Sequence, residues 1–239
     1  MKRAIVVLAV VLTAACSPQR PDELTVFAAA SLTEAFTEIG DAFEEHHGTA
    51  VTFNFAASSL LSQHIGEGAE ADVFASADPA QIDTLGSAVG AARTFVRNRL
   101  AIAVPKDNPE RIGSLADLAG EDTIVVLCAA EVPCGRYADD ALDKARVTLT
   151  PVSREENVKA VLTKVTLGEA DAGIVYESDL ASTENADEVA IPDRHNVIAE
   201  YRVAVVEETD QDGLAAAFVD FVLSEEGRAT LERFGFETA

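Results

Sequence analysis

Positively charged residues are scarce in this sequence. Its 239 residues contain 18 Lys plus Arg against 41 Asp plus Glu, which gives a formal net charge of −23. Nucleic-acid binding and adsorption to anionic lipid both need clustered cations, so the charge excludes both kinds of partner. The apolar content of 48% is nevertheless ample for a packed core and excludes a globally disordered chain. At about 100–200 residues per domain, the length predicts one large domain or two small ones.

Catalytic signatures are also missing. The sequence contains no G-x-S-x-G, P-loop, H-E-x-x-H, C-x-x-C or G-x-G-x-x-G pattern. Ser58 and His64 could pair as nucleophile and base, but nothing in the sequence places an acid behind that histidine. No catalytic step is therefore indicated by a motif. A secreted serine hydrolase that uses Ser58 is the alternative from another class.

A hydrophobic run long enough to span a membrane is missing as well. The apolar segment at residues 4–12 is far shorter than the ~20 residues that a transmembrane helix needs. A short basic start, this apolar segment and the small residues Ala14 and Ala15 predict a secretory signal peptide over residues 1–15. Its cleavage removes two cations and no acid, so the formal charge changes from −23 to −25.

Cys16 follows the two alanines directly, and this arrangement resembles a bacterial lipobox. It predicts that Cys16 becomes the lipidated first residue and that residues 16–22, which include two prolines, form a solvated tether. We therefore expect an extracytoplasmic lipoprotein that is attached to the membrane by its lipid anchor only. The alternative is an ordinary secreted protein with a spare cysteine.

Besides Cys16, the mature chain contains two cysteines, Cys128 and Cys134. Five residues separate them, and they would lie in an oxidising compartment, so we expect a local disulfide. A metal site is the weaker alternative, because no histidine or further cysteine is close in the sequence.

Strand and helix patterns alternate along the chain and predict an α/β protein with helices on both faces of its sheets. The strands are expected at residues 24–28, 51–55, 72–76, 100–104, 124–127, 173–176 and 201–206, with helices between and after them. These units are too many for one small sheet. We expect lobe I at residues 23–103 and 206–239, lobe II at residues 104–205, a hinge where residues 103–105 and 202–205 cross, and a ligand cleft between the lobes.

Several predicted strand-to-helix junctions carry hydroxyls or free backbone N–H groups, at residues 28–34, 55–60, 132–137 and 155–158. Helix N-termini present unpaired N–H donors and a partial positive charge, which suits an oxyanion. Simple capping boxes explain two of the serines equally well, Ser31 with Glu34 and Ser153 with Glu156. The sequence does not show whether the junctions converge, so both interpretations stay open at this point.

Six segments occur in an order that resembles the substrate-binding proteins of molybdate ABC importers. They are VFAAASL at 26–32, FAASSL at 55–60, ADVFASAD at 71–78, VPCG at 132–135, GIVYESD at 173–179 and YRVAVVE at 201–207. The resemblance runs from Leu24 to Phe236, nearly the whole mature chain. It implies a two-lobed type II periplasmic-binding-protein fold, with two mixed sheets flanked by helices and joined by a two-strand hinge.

The resemblance also implies the ligand, molybdate or tungstate, and the residues that hold it. The hydroxyls would come from Ser31, Ser58 and Tyr176, and backbone N–H groups from Ser31, Ser58, Cys134 and Val158. It implies a binding protein with no catalytic step and no cofactor. Such a protein binds the metal only as its oxyanion and delivers it, as a monomer, to the permease subunits of an ABC importer. A register shift from Ser58 to Ser59 stays open.

Two positions depart from the family pattern. Cys134 replaces a frequent alanine, which a backbone donor tolerates, and Arg202 stands where proline is frequent, near the hinge. Sulfate or another tetrahedral oxyanion is the alternative ligand, because sulfate is also a dianion that only accepts hydrogen bonds.

Overall fold

The computed structural model describes residues 23–239. The predicted signal peptide, the lipidation site Cys16 and the tether lie outside the described residues and stay predictions. Within the described part of the chain, no helix combines the length and apolar composition needed to cross a membrane.

The described residues form ten strands and eight α-helices. The strands are β1 (Glu23–Ala29), β2 (Ala50–Ala56), β3 (Val73–Ser76), β4 (Arg93–Pro105), β5 (Val125–Cys128), β6 (Ser153–Glu155), β7 (Ala172–Tyr176), β8 (Ala186–Ala190), β9 (Ile198–Val205) and β10 (Glu237–Thr238). The helices are α1 (Thr33–His47), α2 (Ser58–Gly66), α3 (Pro79–Leu85), α4 (Pro133–Ala145), α5 (Val158–Thr166), α6 (Glu177–Ala181), α7 (Asp212–Val222) and α8 (Glu225–Arg233).

The strands form a curled network that divides into two mixed sheets sharing β4. In the first sheet β1 pairs parallel with β2 and β3, and β9 joins β3 to the first half of β4 antiparallel. In the second sheet β5 pairs parallel with β6 and β7, and β7 and β8 flank the second half of β4 antiparallel. The predicted α/β architecture of two mixed sheets with helices is confirmed.

Strand β4 connects the two sheets because it changes its pairing partner along its length. Arg99 pairs with Ile198 of β9, and the next residue, Leu100, pairs with Tyr176 of β7. Strand β9 pairs only with β3 and β4 in the first sheet. The predicted division into lobes at residues 103/104 and 205/206 stays a prediction.

The burial of each strand explains whether it could be predicted from the sequence. Strands β3, β5 and β7 are buried along their whole length, and continuous apolar runs are typical of such parallel strands. The first half of β4 was not predicted, because Arg97, Asn98 and Arg99 interrupt any apolar pattern there. The short strands β6 and β8 and helix α6 were also missed, since three to five residues carry little periodicity.

Aromatic side chains hold α1 and α7 against the first sheet. The ring of Phe36 lies 5.9 Å from that of Phe95 and 6.1 Å from that of Phe218, and Phe43 lies 5.3 Å from Phe218. Tilted and edge-on pairs at these distances add to the energy of apolar burial. In the second sheet, α5 buries an apolar stripe of Val158, Val161, Leu162 and Val165. This packing fixes the starts of the helices at the carboxyl ends of the parallel strands.

Candidate functional site

A cleft lies where the carboxyl ends of parallel strands from both sheets face one another. Ligand sites in α/β proteins commonly form at this kind of edge. The cleft contains about 240 Å³ of empty space, including its open mouth. Its lining residues are Ala29, Ala30, Ser31, Ala56, Ala57, Ser58, Ala77, Pro133, Cys134, Asn157, Val158 and Tyr176.

All five residues predicted to bind the ion line this one cleft, namely Ser31, Ser58, Cys134, Val158 and Tyr176. Each is buried. Ser59 is not part of the lining. The structure therefore brings together the strand-to-helix junctions whose convergence the sequence left open, and it places Ser58 rather than Ser59 at the cleft. Their role as ion ligands stays a proposal.

Ser31 does not act as a helix cap. It lies in a short 3₁₀ helix, Ala30–Leu32, and its hydroxyl is 2.8 Å from the hydroxyl of Tyr201. Glu34, the expected partner in a capping box, instead forms an ion pair with Lys159 at 2.7 Å. The capping interpretation of Ser31 is therefore wrong, and its side chain is available to the cleft.

Ser58 is the first residue of α2, a helix that begins without a side-chain cap. Its hydroxyl oxygen accepts a 3.0 Å hydrogen bond from the backbone N–H of Ala77, which leaves the hydroxyl hydrogen available. His64 does not line the cleft, and within residues 23–239 no hydrogen bond joins it to Ser58. The nucleophile–base pair of the hydrolase alternative is thus not formed.

Helix α4 presents a backbone donor at Cys134. Pro133 is the first helical residue and has no N–H, while the N–H of Gly135 bonds to the carbonyl of Val132 at 3.1 Å. The N–H of Cys134 lies between these two in a helix with no side-chain cap. It is therefore the group in this first turn that is left for a ligand.

Helix α5 presents a second backbone donor at Val158. The side chain of Asn157 caps this helix by accepting from the N–H of Ala160 at 3.0 Å, which leaves the earlier N–H of Val158 without an intrahelical acceptor. Ser153 lies in β6 and donates its hydroxyl to Glu155 at 2.6 Å. The expected capping box of Ser153 is therefore wrong, and Asn157 fills that role.

A disulfide joins Cys128, at the end of β5, to Cys134 in the first turn of α4, with their Cα atoms 5.8 Å apart. The turn that it closes is tightly packed. A Cβ atom added to Gly135 would lie 1.9 Å from the carbonyl oxygen of Ala129. Only glycine fits at this position, because the obstructing atoms belong to the backbone and cannot rotate away.

Tyr176 ends β7 inside the cleft lining. It is buried, and its hydroxyl has no hydrogen-bond partner among residues 23–239. Burial raises the pKa of Tyr176 well above its ordinary value of 10, so the phenol stays protonated at neutral pH. A buried hydroxyl of this kind normally finds a partner, so Tyr176 stands out as a donor in the cleft lining that has none among the described residues.

The charges nearest to the cleft are paired with one another. In the part of the chain that the structure describes, no charged side chain lines the cleft. Asp78, the N-cap of α3, pairs with Arg136 at the start of α4, and Lys159 of α5 lies 2.7 Å from Glu34 and 3.0 Å from Asp179. These contacts join the two sides of the cleft around its neutral lining.

The pKa values show the same pairing. Burial alone would lower the pKa of Lys159, but the carboxylates of Asp179 and Glu34 hold it above its usual value. Burial raises the pKa of Asp179, and Lys159 opposes that rise. Lys159 is therefore a charged lysine whose charge is neutralised by neighbouring carboxylates and is not directed at the cleft.

Three polar residues of the site were missed from the sequence. Asn98 donates its amide to Ser178 at 2.7 Å and to Tyr201 at 3.3 Å, and Tyr201 in turn contacts Ser31. Asn157 was noted only as part of a junction. The sequence carried no signal for Asn98, because the first half of β4 has no continuous apolar pattern in which a buried asparagine would stand out.

The arrangement as a whole can supply hydroxyl and N–H donors and offers no carboxylate acceptor. It therefore fits a small anion that only accepts hydrogen bonds, and it lacks an acceptor for a ligand that carries a proton. In residues 23–239, no group of three or more His, Cys, Asp or Glu side chains could hold a bare metal ion.

Comparisons with known proteins agree with this description. Residues 24–237 match the family model of bacterial extracellular solute-binding proteins. The chain is 42% identical over 231 residues to the molybdate-binding protein ModA of Mycobacterium tuberculosis, which covers 93% of this chain and 88% of that protein.

Two solved structures are similar in fold. The periplasmic molybdate-binding protein of Azotobacter vinelandii gives a TM-score of 0.79 at 19% identity, over 89% of this chain and 98% of that chain. The sulfate-binding protein SubI from Mycobacterium tuberculosis gives a TM-score of 0.72 at 19% identity, over 90% of this chain and 86% of that chain. The predicted type II periplasmic-binding-protein fold and the resemblance to molybdate-binding proteins are confirmed. The chain belongs to the family of bacterial extracellular solute-binding proteins.

Proposed function

We propose that this protein binds molybdate or tungstate in the cleft and delivers the ion to the permease of an ABC importer. The observation that carries the proposal is the buried hydroxyl of Tyr176, which has no partner among the described residues and lies in a neutral cleft lined by two serines. The 42% identical relative is named a molybdate-binding protein, which supports this choice of ion.

The proposed ligands are the hydroxyls of Ser31, Ser58 and Tyr176 and the backbone N–H groups of Ser31, Ser58, Cys134 and Val158. A hydrogen bond to a charged group contributes about 1.5–3 kcal/mol. Seven such bonds can offset the desolvation of a dianion and still leave micromolar or tighter binding, about −8 kcal/mol or beyond. Molybdate at neutral pH has no proton to donate, so a site made only of donors is complementary to it.

Sulfate is the competing ligand, because it has the same charge and also only accepts hydrogen bonds. A fold neighbour is named a sulfate-binding protein, although at 19% identity that likeness concerns the fold alone. Molybdate is the larger ion, so the size of the cleft in the bound state would provide the discrimination.

The N-terminal sequence supports an extracytoplasmic location with a lipid on Cys16 as the membrane attachment. A monomer tethered in this way stays near the permease while the rest of the chain remains free to capture ions. The strongly acidic exterior does not prevent capture, because salt at physiological strength screens charges beyond about 8 Å.

Thermal unfolding of the purified protein with molybdate, tungstate, sulfate and phosphate tests the proposal. A ligand at 100 times its Kd stabilises the folded state by about 2.7 kcal/mol, so molybdate and tungstate are expected to raise the Tm clearly. Equal stabilisation by sulfate would contradict the specificity, and no shift with any oxyanion would contradict the site. Mass spectrometry of the membrane-extracted protein tests the lipid on Cys16.

A further inference from the structure

A chain of buried hydrogen bonds leads from the interior of the protein to the hydroxyl of Ser31. The amide nitrogen of Asn98 lies 3.3 Å from the hydroxyl of Tyr201, which lies 2.8 Å from the hydroxyl of Ser31. These three side chains are at most 4% exposed. Tyr201 and Asn98 do not line the cleft, so they would act on a ligand only through Ser31.

The direction of each hydrogen bond in this chain follows from its inner end. The side-chain oxygen of Asn98 accepts from the backbone N–H of Arg99 at 3.0 Å, so the amide nitrogen is the end that faces Tyr201. That nitrogen can only donate. The hydroxyl of Tyr201 therefore accepts from Asn98, and its own hydrogen is directed to Ser31.

The opposite direction would leave a buried hydrogen unpaired. If Ser31 donated to Tyr201, the phenol hydrogen of Tyr201 would need another acceptor. The hydrogen bonds of Tyr201 within residues 23–239 are those to Ser31 and Asn98, and the Asn98 nitrogen cannot accept. Burial also raises the pKa of Tyr201, which keeps the phenol in its protonated, donating form.

We propose that Tyr201, oriented by Asn98, is a positioning residue that makes Ser31 an obligate donor to the bound ion. Because the Ser31 oxygen already accepts from Tyr201, its one hydrogen is left to point into the cleft. The serine then offers a pre-oriented donor and does not spend binding energy on fixing its rotation. This inference rests on the proposed function, since it assumes that the ion contacts Ser31.

A double-mutant cycle on the full-length mature protein, measured by titration calorimetry with molybdate, tests the proposal. Tyr201→Phe is expected to weaken binding about 5-fold and Ser31→Ala about 10- to 100-fold. The double variant should bind as Ser31→Ala does, within about 2-fold, because Tyr201 acts only through the hydroxyl that is already gone.

Tyr137→Phe is the matched control. Its hydroxyl donates to Asp78 at 3.2 Å beside the cleft and does not contact Ser31, so its effect should add to that of Ser31→Ala. Denaturant unfolding without ligand confirms that each variant is folded. Additive effects of Tyr201→Phe and Ser31→Ala would overturn the inference while the proposed function stands. An unchanged affinity in Ser31→Ala would overturn both.

Discussion

The two sides of the cleft offer donors of different kinds. The side built on β1 and β2 offers the hydroxyls of Ser31 and Ser58 in addition to their backbone N–H groups, whereas the side built on β5 and β6 offers backbone N–H groups alone, at Cys134 and Val158. We call these the hydroxyl side and the amide side. A hydroxyl donor depends on the identity of one residue, whereas an amide donor depends on the path of the backbone.

This difference predicts which residues of the cleft can be replaced without loss of a hydrogen-bond donor. Cysteine at position 134, where the resemblance leads one to expect alanine, keeps the same N–H group. The donors of the amide side depend instead on the packing that fixes their turns, such as the close approach of Gly135 to Ala129. Tyr176 also comes from the second sheet but contributes a side chain, so it behaves as a member of the hydroxyl side. Four experiments test this contrast, in order of decreasing effect on ion affinity.

Gly135→Ala is expected to have the largest effect. The new Cβ would meet the backbone of Ala129 at 1.9 Å, so the turn before α4 must move and the N–H of Cys134 moves with it. We expect a loss of about 3 kcal/mol or more in unfolding free energy and loss of measurable molybdate binding.

Gly213→Ala is the matched control for this change. Gly213 also lies in the first turn of a helix, but a Cβ there meets no atom within 4 Å. It should bind molybdate normally and unfold at the same or a higher denaturant concentration. Normal binding by Gly135→Ala would show that the amide side does not contribute.

Ser58→Ala and Tyr176→Phe should each weaken molybdate binding by about 1–3 kcal/mol, because each removes a hydroxyl donor to the ion. Their effects on the ligand-free protein should differ in sign. Ser58→Ala leaves the N–H of Ala77 without its acceptor and should destabilise the fold, whereas Tyr176→Phe removes a buried hydroxyl that has no partner among residues 23–239 and should stabilise it. Denaturant unfolding with and without molybdate measures both. If both variants bind molybdate normally, the hydroxyl side is misplaced.

Replacing both disulfide cysteines by alanine should affect stability more than binding. A closed loop this short contributes about 2–2.5 kcal/mol in the chain-entropy account, so Cys128→Ala/Cys134→Ala should unfold more easily by about that amount. The affinity should change by less than about 0.5 kcal/mol, since the N–H at position 134 remains. Alkylation without reductant followed by mass spectrometry should leave Cys128 and Cys134 of the parent protein unmodified. Loss of binding in the double alanine variant would show that the side chain itself matters.

A change of pH should have the smallest effect on molybdate affinity. The pKa of Tyr176 is raised above 10, which favours the protonated donor, so the phenol keeps its hydrogen throughout pH 6 to 9. Serine hydroxyls and backbone amides do not titrate there. Molybdate affinity measured by calorimetry should therefore stay constant over this range. A fall in molybdate affinity as the pH rises from 6 to 7 would instead indicate a histidine that contacts the ion.

Much of the fold and most of the candidate site could be predicted from the sequence. The buried parallel strands appear as apolar runs, and such signals are local, so a single sequence carries them. The residues Ser31, Ser58, Cys134, Val158 and Tyr176 come from the resemblance to molybdate-binding proteins. The first half of β4 escaped prediction because its polar residues are satisfied by distant partners, as Asn98 is by Ser178.

The sequence by itself determined that hydroxyls and helix N-termini occur at the strand-to-helix junctions, whereas the absence of charged side chains from the cleft lining, in the described part of the chain, is seen only in the structure. It also determined the net charge of −23 and the small residues alanine, serine and glycine at the strand-to-helix junctions. Only the tertiary structure decided that these junctions face one cleft, that Ser31 contacts Tyr201 instead of capping a helix, and that the hydroxyl of Tyr176 has no partner among residues 23–239. The physical reason is that each of these contacts joins residues far apart in the chain, and only the pairing of the sheets sets their distance.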